Sequence, residues 1–322
     1  MKVAVTGGSG VVGGAVVRHL VAAGHDVVAL ARSTPASDKL TMLGAGVVTG
    51  DVLDADSVAR LVEGSSVVFH VAGVNELCAR DPSRMWEVNV DGTMAVVEQS
   101  ARAGVTRAVL TSSSVTLGEE RGTRGHERSH HRGYFLSEYE RSKAVAERLA
   151  FDHAAGVEIV AVNPSSVQGP GRSTGTGALL LAAARGKTPL LVDTTFSVVD
   201  IDDCARGHLL AAEKGVPGER YVLSGAVLTV RQVVRIIDTI MGRRRRNWFV
   251  QPKLMTALAP VVEVGFRPTG RQPPLCPEAV RVLLHGHSYD GRKATRDLGL
   301  VYSTVEDTLE RAIRWFREEG ML

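Results

Sequence analysis

Apolar residues 3–6 run into a glycine-rich turn at 7–14, and the positions that follow repeat with a helical period to about residue 23. The pattern predicts a strand, a glycine turn and a helix. Gly24 closes the helix, and residues 26–31 read as a second buried strand. The alternation continues with a helix near 37–43, a strand at 47–49, a helix at 55–62 and a strand at 66–71. A long helix over 82–103 and a fifth strand at 107–111 come next. A polar loop spans 118–133, a helix around Tyr139 runs to about 155, and 157–162 is a sixth strand. Apolar strands alternating with helices predict a parallel sheet covered on both faces. Right-handed crossovers then gather the strand C-termini along one edge, where ligands bind.

After Pro164 the rhythm loosens. The glycine-rich stretch 169–177 reads as a flexible connection, followed by a small apolar helix at 179–184. A strand at 196–199, a helix at 202–212 and a strand at 220–223 still resemble sheet-domain elements, and the chain from about 228 is mainly helical. The organisation expected is a sheet domain over 1–165, rejoined by 195–224. A substrate-binding part, built from 166–194 and 225–322, forms a lid over the sheet edge.

Composition narrows the classes. The chain has 322 residues, 44% of them hydrophobic, with a net charge of +3. That balance fits a globular protein with a sizeable core and argues for neither nucleic acid nor a membrane as partner. The dense basic run Arg243, Arg244, Arg245, Arg246 follows Gly242 at a helix end, where cations suit the dipole. The apolar stretch 254–264 is too short to span a bilayer, and the first strand starts too early to leave room for a cleavable signal. Cys78, Cys204 and Cys276 are scattered and odd in number, as reduced thiols are, so the expected location is the cytoplasm.

The chemistry begins at the first turn. Gly7, Gly10 and Gly13 open a helix directly after a strand, the arrangement that lets backbone N–H groups hold a pyrophosphate. This predicts dinucleotide binding. At the end of the second strand, where an acidic residue would select NAD, the chain has Arg32 and Ser33. A guanidinium there suits the 2′-phosphate of NADP(H), which is favoured, with NAD(H) as the alternative. Asp51, at a third strand end, is placed to accept from an adenine amino group, while Asp54 is the better helix cap. Tyr139 and Lys143 lie four apart on one helix face, and an ammonium beside a phenol predicts a Tyr139 pKa below its reference of about 10. His126, His130 and His131, with Glu119, Glu120 and Glu127, occupy the polar loop. They lack metal-ligand spacing, so no metal is expected and the loop reads as a mobile charged flap.

The ordered set is more specific than any one motif. Thr6-Gly7-x-x-Gly10-x-x-Gly13, Gly50-Asp51-Val52, His70-Val71-Ala72-Gly73, Asn89-Val90-Asp91-Gly92-Thr93 and Thr111-Ser112-Ser113-Ser114 precede Tyr139-x-x-x-Lys143. Asn163-Pro164-Ser165-Ser166-Val167 and Val199-Asp200-Ile201-Asp202-Asp203 follow it. Over residues 1 to about 212 the chain resembles the extended short-chain dehydrogenase/reductase family of epimerases, dehydratases and reductases, nearest its dihydroflavonol-4-reductase-like branch. The resemblance implies a Rossmann-type doubly wound α/β fold with a smaller, mainly helical C-terminal substrate-binding part. It implies Tyr139 as acid/base, Lys143 as its partner and a nicotinamide-ribose ligand, and Ser113 orienting the carbonyl, with Ser112 and Ser114 close by. It implies a cofactor lined by Gly7, Ser9, Gly10, Val11, Val12, Gly13, Val52, Val71, Ala72 and Gly73, with Pro164, Ser166 and Val167 at the nicotinamide. Asn89 is read as tying the long helix to a neighbouring strand, and His70 as packing near the cofactor.

Ser113 is followed by Ser114 and Val115 rather than by the acid pair of dehydratases, and 193–197 lacks the arginine of sugar-nucleotide enzymes. Interconversion of a carbonyl and an alcohol on a small, largely apolar molecule is therefore the expected reaction. An epimerase that keeps its NAD and a non-catalytic cofactor sensor are the alternatives. A homodimer pairing the helices at 82–103 and 137–155 is a further implication of the resemblance.

Overall fold

Val3, Ala4 and Val5 have no exposed surface, so the first strand has to lie where helices cover both faces. The computed structural model, which describes residues 1–187, 190–245, 247–250, 252–266 and 276–322, places it in the middle of a seven-stranded sheet. Arg246, at the end of the arginine run, lies outside the described residues, as does 267–275 within the expected lid.

The first half alternates as expected: β1 (Lys2–Thr6), α1 (Val11–Ala22), β2 (Asp26–Ala31), α2 (Thr34–Met42), β3 (Gly46–Thr49), α3 (Ala55–Val62) and β4 (Val67–His70). Next come α4 (Ser83–Trp86), a π-helical turn at Glu87–Asp91, α5 (Gly92–Arg102), β5 (Arg107–Thr111), α6 (Glu138–Asp152) and β6 (Glu158–Pro164). The single helix predicted over 82–103 is thus interrupted, and the wide turn directs Asn89 inward to Val74. The second half holds β7 (Ser166–Gln168), α7 (Thr176–Arg185), β8 (Leu190–Leu191), β9 (Thr195–Asp200), α8 (Ile201–Lys214) and β10 (Arg220–Leu223). It ends with β11 (Ala226–Thr229), α9 (Val230–Ile240), β12 (Trp248–Phe249), α10 (Pro252–Phe266), α11 (Pro277–His285) and α12 (Val305–Glu318).

Strand order in the large sheet is β10-β6-β5-β4-β1-β2-β3, every neighbouring pair parallel. This is the doubly wound Rossmann-type α/β fold. Order reverses between β1 and β4, leaving a crevice at their C-terminal ends. One core, against α1 and α8, includes Val16, Leu20 and Cys204; the other, against α3, α5 and α6, includes Val58, Val96 and Ala150. A third cluster joins α7, α9 and α12 through Leu180, Ile237 and Phe316.

The segment 195–224, expected back in the main sheet, returns only in part. α8 and β10 do so, while β9 pairs with β7 and β11 in a separate three-stranded sheet. Pro164 lies opposite Leu223 at the end of the β6–β10 ladder, Ser165 N–H makes the closing bond to Leu223 O at 2.9 Å, and the chain then leaves to form β7. Among the described residues no helix is long and apolar enough to cross a membrane.

The cysteines differ from expectation. Cys78 and Cys276 form a disulfide across 198 residues, and Cys204 alone is free and buried. Sequence spacing gave no hint of that pairing, because the fold alone brings the loop after β4 to the start of α11. Glu278, two residues on, accepts the backbone N–H groups of Cys78 (2.6 Å) and Glu138 (2.9 Å), so α11 is also fixed to the start of α6.

Asp200 joins the C-terminal helix to the sheet domain. Buried at the N-terminus of α8, it accepts the N–H of Asp202 at 2.8 Å and a guanidinium N–H of Arg311 on α12. Asp202 receives Arg311 at 3.0 Å and Arg18 of α1 at 2.9 Å. Asp200→Ala removes a cap and leaves Arg311 a partner short, so we expect a loss of roughly 2–3 kcal/mol in unfolding free energy. Urea denaturation checks this against Asp54→Ala, which removes the solvent-exposed cap of α3; equal losses from the two changes would contradict the buried-staple role.

Candidate active site

The crevice is shaped by backbone meeting backbone. Gly7 has φ +70°, and a β-carbon there would stand 2.5 Å from the N of Ala72; one at Gly13 would stand 2.1 Å from the O of Gly7. Only glycine allows this packing of turn, helix and β4 loop. α1 carries no side-chain cap, so its first N–H groups are left for a ligand. They open into a cleft of ≈ 740 Å³.

Most of the predicted cofactor residues converge on this cleft. Gly7, Ser9, Gly10, Val11, Val12 and Gly13 form its floor, Arg32, Ser33, Asp51 and Val52 one end, and Val71, Ala72 and Gly73 the wall from β4. A dinucleotide fits the donor set: helix N–H groups for phosphates and a cationic rim for a further one. Pro164, Ser166 and Val167 do not line it. The Ser166 hydroxyl is engaged with Thr176 at 3.0 Å and Gln168 at 2.8 Å.

The rim holds two arginines rather than one. Arg32 approaches the Asp51 carboxylate at 3.9 Å, and Arg84, which the sequence reading passed over, approaches it at 3.2 Å. The other Asp51 oxygen accepts Leu53 N–H at 3.1 Å, so an adenine amino group would compete for an occupied carboxylate. Ser33 caps α2 by accepting from Ala36 N at 3.4 Å, which leaves its own O–H to donate.

Beneath the β4 wall runs a buried hydrogen-bond chain. Ala72 N donates to Thr6 Oγ1 at 3.2 Å, and Thr93 Oγ1 donates to Asn89 O at 2.6 Å. His70 lies between them, its Nδ1 2.8 Å from Thr6 Oγ1 and its Nε2 3.0 Å from Thr93 Oγ1. With the Thr93 proton committed, Nε2 carries the hydrogen and Nδ1 accepts. Burial and the nearby Lys143 push the His70 pKa down to about 3, so it packs as a neutral ring and is no base. Asn89 accepts from Val74 N at 2.8 Å and donates to Ser142 Oγ of α6 at 2.9 Å, tying the β4 loop to the Tyr139 helix rather than to a strand.

Tyr139, Lys143 and Ser113 meet at the end of β5. The Ser113 hydroxyl faces the Tyr139 phenol, whereas Ser114 faces Tyr289 and the Ser112 hydroxyl is buried without a partner. Asn163 holds the serine turn by donating to Ser113 O at 3.2 Å and to Glu147 Oε2 at 2.6 Å. Lys143, 5% exposed, donates to Thr111 O at 2.7 Å. A β-carbon on Gly73 would stand 3.7 Å from its Nζ, so the ammonium lies against the cleft wall.

The electrostatics correct one expectation. Tyr139 is raised above its ordinary value, not lowered: burial dominates, opposed by the Ser113 hydroxyl and by the charge of Arg172. Lys143 is itself pushed down to about 8 by burial, with Glu147 opposing. Its charge is directed at Thr111 O, not at the phenol. Arg172 escaped the sequence reading. Its signal was there, as the one charged side chain in the glycine-rich stretch 169–177.

The polar loop is anchored rather than free. Glu127 accepts Val222 N–H at 2.9 Å on the edge strand β10, and Gly125 bridges to Tyr289. Glu119 is buried, with its carboxylate 2.7 Å from His287 Nδ1 and 3.4 Å from His285 Nε2. These donors lie close enough together to hold a metal ion, but Arg132, 4.0 Å from the same carboxylate, already supplies a cation.

Lys143 gives a pH test. Its folded pKa of about 8 lies below an unfolded value of about 10.4, so between the two the unfolded chain binds the extra proton and stability rises with pH. Urea midpoints of the wild type are expected to climb relative to Lys143→Met from about pH 8 to about pH 10. Parallel curves would mean that the ammonium is not buried as described.

Comparison with known proteins agrees with this geometry. Residues 3–224 match the NAD dependent epimerase/dehydratase family. A Synechocystis protein provisionally named dihydroflavonol 4-reductase is 33% identical, over 98% of this chain and 94% of its own length. The 3-beta-hydroxysteroid dehydrogenase of Mycolicibacterium neoaurum is 30% identical, over 92% of this chain and 86% of its own. The crystal structure of gox2253 superposes with a TM-score of 0.86 at 30% identity, covering 100% of this chain and 99% of that one.

Proposed function

The chain belongs to the NAD dependent epimerase/dehydratase family, within the extended short-chain dehydrogenases/reductases, and within it we propose an NADP(H)-dependent oxidoreductase that interconverts a carbonyl and an alcohol on a small, largely apolar molecule. The observation that carries this reading is the Ser113 hydroxyl beside the Tyr139 phenol, where it works to lower the phenol's pKa, with Lys143 one helical turn further along α6 and against Gly73 of the cleft wall.

Bound in the cleft, the nicotinamide supplies the hydride for reduction. The chain supplies the rest. Ser113 and Tyr139 present two hydroxyls to one substrate oxygen, so charge that develops there is met by preorganised donors. In reduction Tyr139 gives its proton to that oxygen, and in oxidation it takes the proton back. A phenol whose pKa is raised in this structure holds its proton at neutral pH, which suits the donor role. Lys143, fixed to Thr111 O beside Gly73, stands where a nicotinamide ribose would be held. Arg32 and Arg84 at the far end favour a 2′-phosphate. The names of two relatives, a provisional dihydroflavonol 4-reductase and a 3-beta-hydroxysteroid dehydrogenase, support a substrate of that class.

Two measurements check the reading. Tyr139→Phe is expected to leave the dissociation constant for NADPH nearly unchanged while turnover of a ketone or aldehyde falls by about 10²-fold or more. Retained turnover would remove Tyr139 from the chemistry. Arg32→Ala should weaken NADPH about tenfold or more while changing NADH little, by fluorescence titration. Equal effects on both would withdraw the NADP assignment.

A further inference from the structure

Arg172 is held in place by its own loop. Gly169 and Gly171, at φ +138° and +86°, turn the chain so that a β-carbon on Gly171 would lie 3.8 Å from Val11 Cγ1, against the first turn of α1. A β-carbon on Gly177, in the first turn of α7, would meet Arg172 O at 2.2 Å, so the start of that helix packs onto the residue. The Arg172 side chain lines the dinucleotide cleft together with Gly10, Val11 and Val12. Its Nε is buried without a hydrogen-bond partner, and among the described residues no carboxylate forms an ion pair with it. Arg172 is half-buried, and its shielded Nε leaves a cationic donor unmet, which an arriving anion would satisfy. The cleft floor at this point is the uncapped N-terminus of α1, which also awaits an anion.

We propose that Arg172 grips the pyrophosphate of the bound dinucleotide from the 169–177 loop, as a second anchor facing the glycine turn. A planar guanidinium can take one oxygen from each phosphate, a match that helix N–H groups alone do not provide. The charge of Arg172 also works to lower the Tyr139 pKa, so the same guanidinium is felt at the phenol. The inference rests on the dinucleotide part of the proposed function, not on the carbonyl chemistry or on the choice of NADP.

Calorimetric titration of the full chain with NADPH, with ADP-ribose and with an adenosine monophosphate tests it without turnover. ADP-ribose keeps the pyrophosphate and lacks the nicotinamide; the monophosphate lacks the pyrophosphate and reports on folding of the adenine end. Arg172→Ala is expected to weaken NADPH and ADP-ribose by about 10- to 100-fold, with the monophosphate changed less than about threefold. Arg172→Lys should restore part of the loss. Unchanged affinity for ADP-ribose, or equal losses for all three ligands, would overturn the clamp while leaving the dinucleotide site intact. A wild-type chain that binds neither NADPH nor ADP-ribose would sink the site itself, and the clamp with it.

Discussion

Backbone approaches backbone at Gly7 and Gly13 more closely than any side chain would permit, and the site is built outward from that contact. With Gly13 against the Gly7 carbonyl, α1 begins directly over the C-terminal end of β1 and directs its free N–H groups into the crevice. With Gly7 against Ala72, the loop after β4 is held at the same edge. The chain from Ala72 through Thr6, His70 and Thr93 to Asn89 then carries this placement down to the π-helical turn and across to Ser142. Ser142 is the neighbour of Lys143. The glycine turn and the Tyr139–Lys143 pair are thereby fixed to one framework, as the proposed hydride transfer requires, because it needs the reacting groups held in a near-attack arrangement.

The charges around the reactive pair are arranged differently from the simplest picture of a lysine beside a tyrosine. Burial disfavours both the Lys143 ammonium and the Tyr139 phenolate, and each is compensated by a different partner: Thr111 O for one, Ser113 and Arg172 for the other. Such a phenol is a proton donor at rest. The lysine is directed at backbone, with its ammonium beside Gly73.

The C-terminal third is attached to the sheet domain at points that avoid the cleft floor. The Cys78–Cys276 disulfide and the two hydrogen bonds to Glu278 fasten α11 beside the start of the Tyr139 helix. Arg311 fastens α12 to Asp200 and Asp202 at the head of α8. The C-terminal helices are thus held to the sheet domain by residues far apart in the chain.

Local patterns were enough for the framework. Hydrophobic period, glycine turns and caps act over a few residues, so the alternation through β6, the glycine cradle, the Arg32 rim and the Tyr139–Lys143 face could be read from the residues themselves. The motif order added Ser113. What the sequence did not reveal depends on contacts between distant segments. Cys78 meets Cys276, Arg84 reaches Asp51, and Glu119 meets His285 and His287 only after the chain has folded. The direction of the Tyr139 shift belongs to the same class. Spacing of four residues brings an ammonium near a phenol, but the sign of a pKa shift is decided by desolvation and by where each donor points, and both are properties of the packed interior. Arg172 shows the boundary most clearly: its glycines announced a turn, and only the tertiary structure decided that the turn delivers a guanidinium into the cleft.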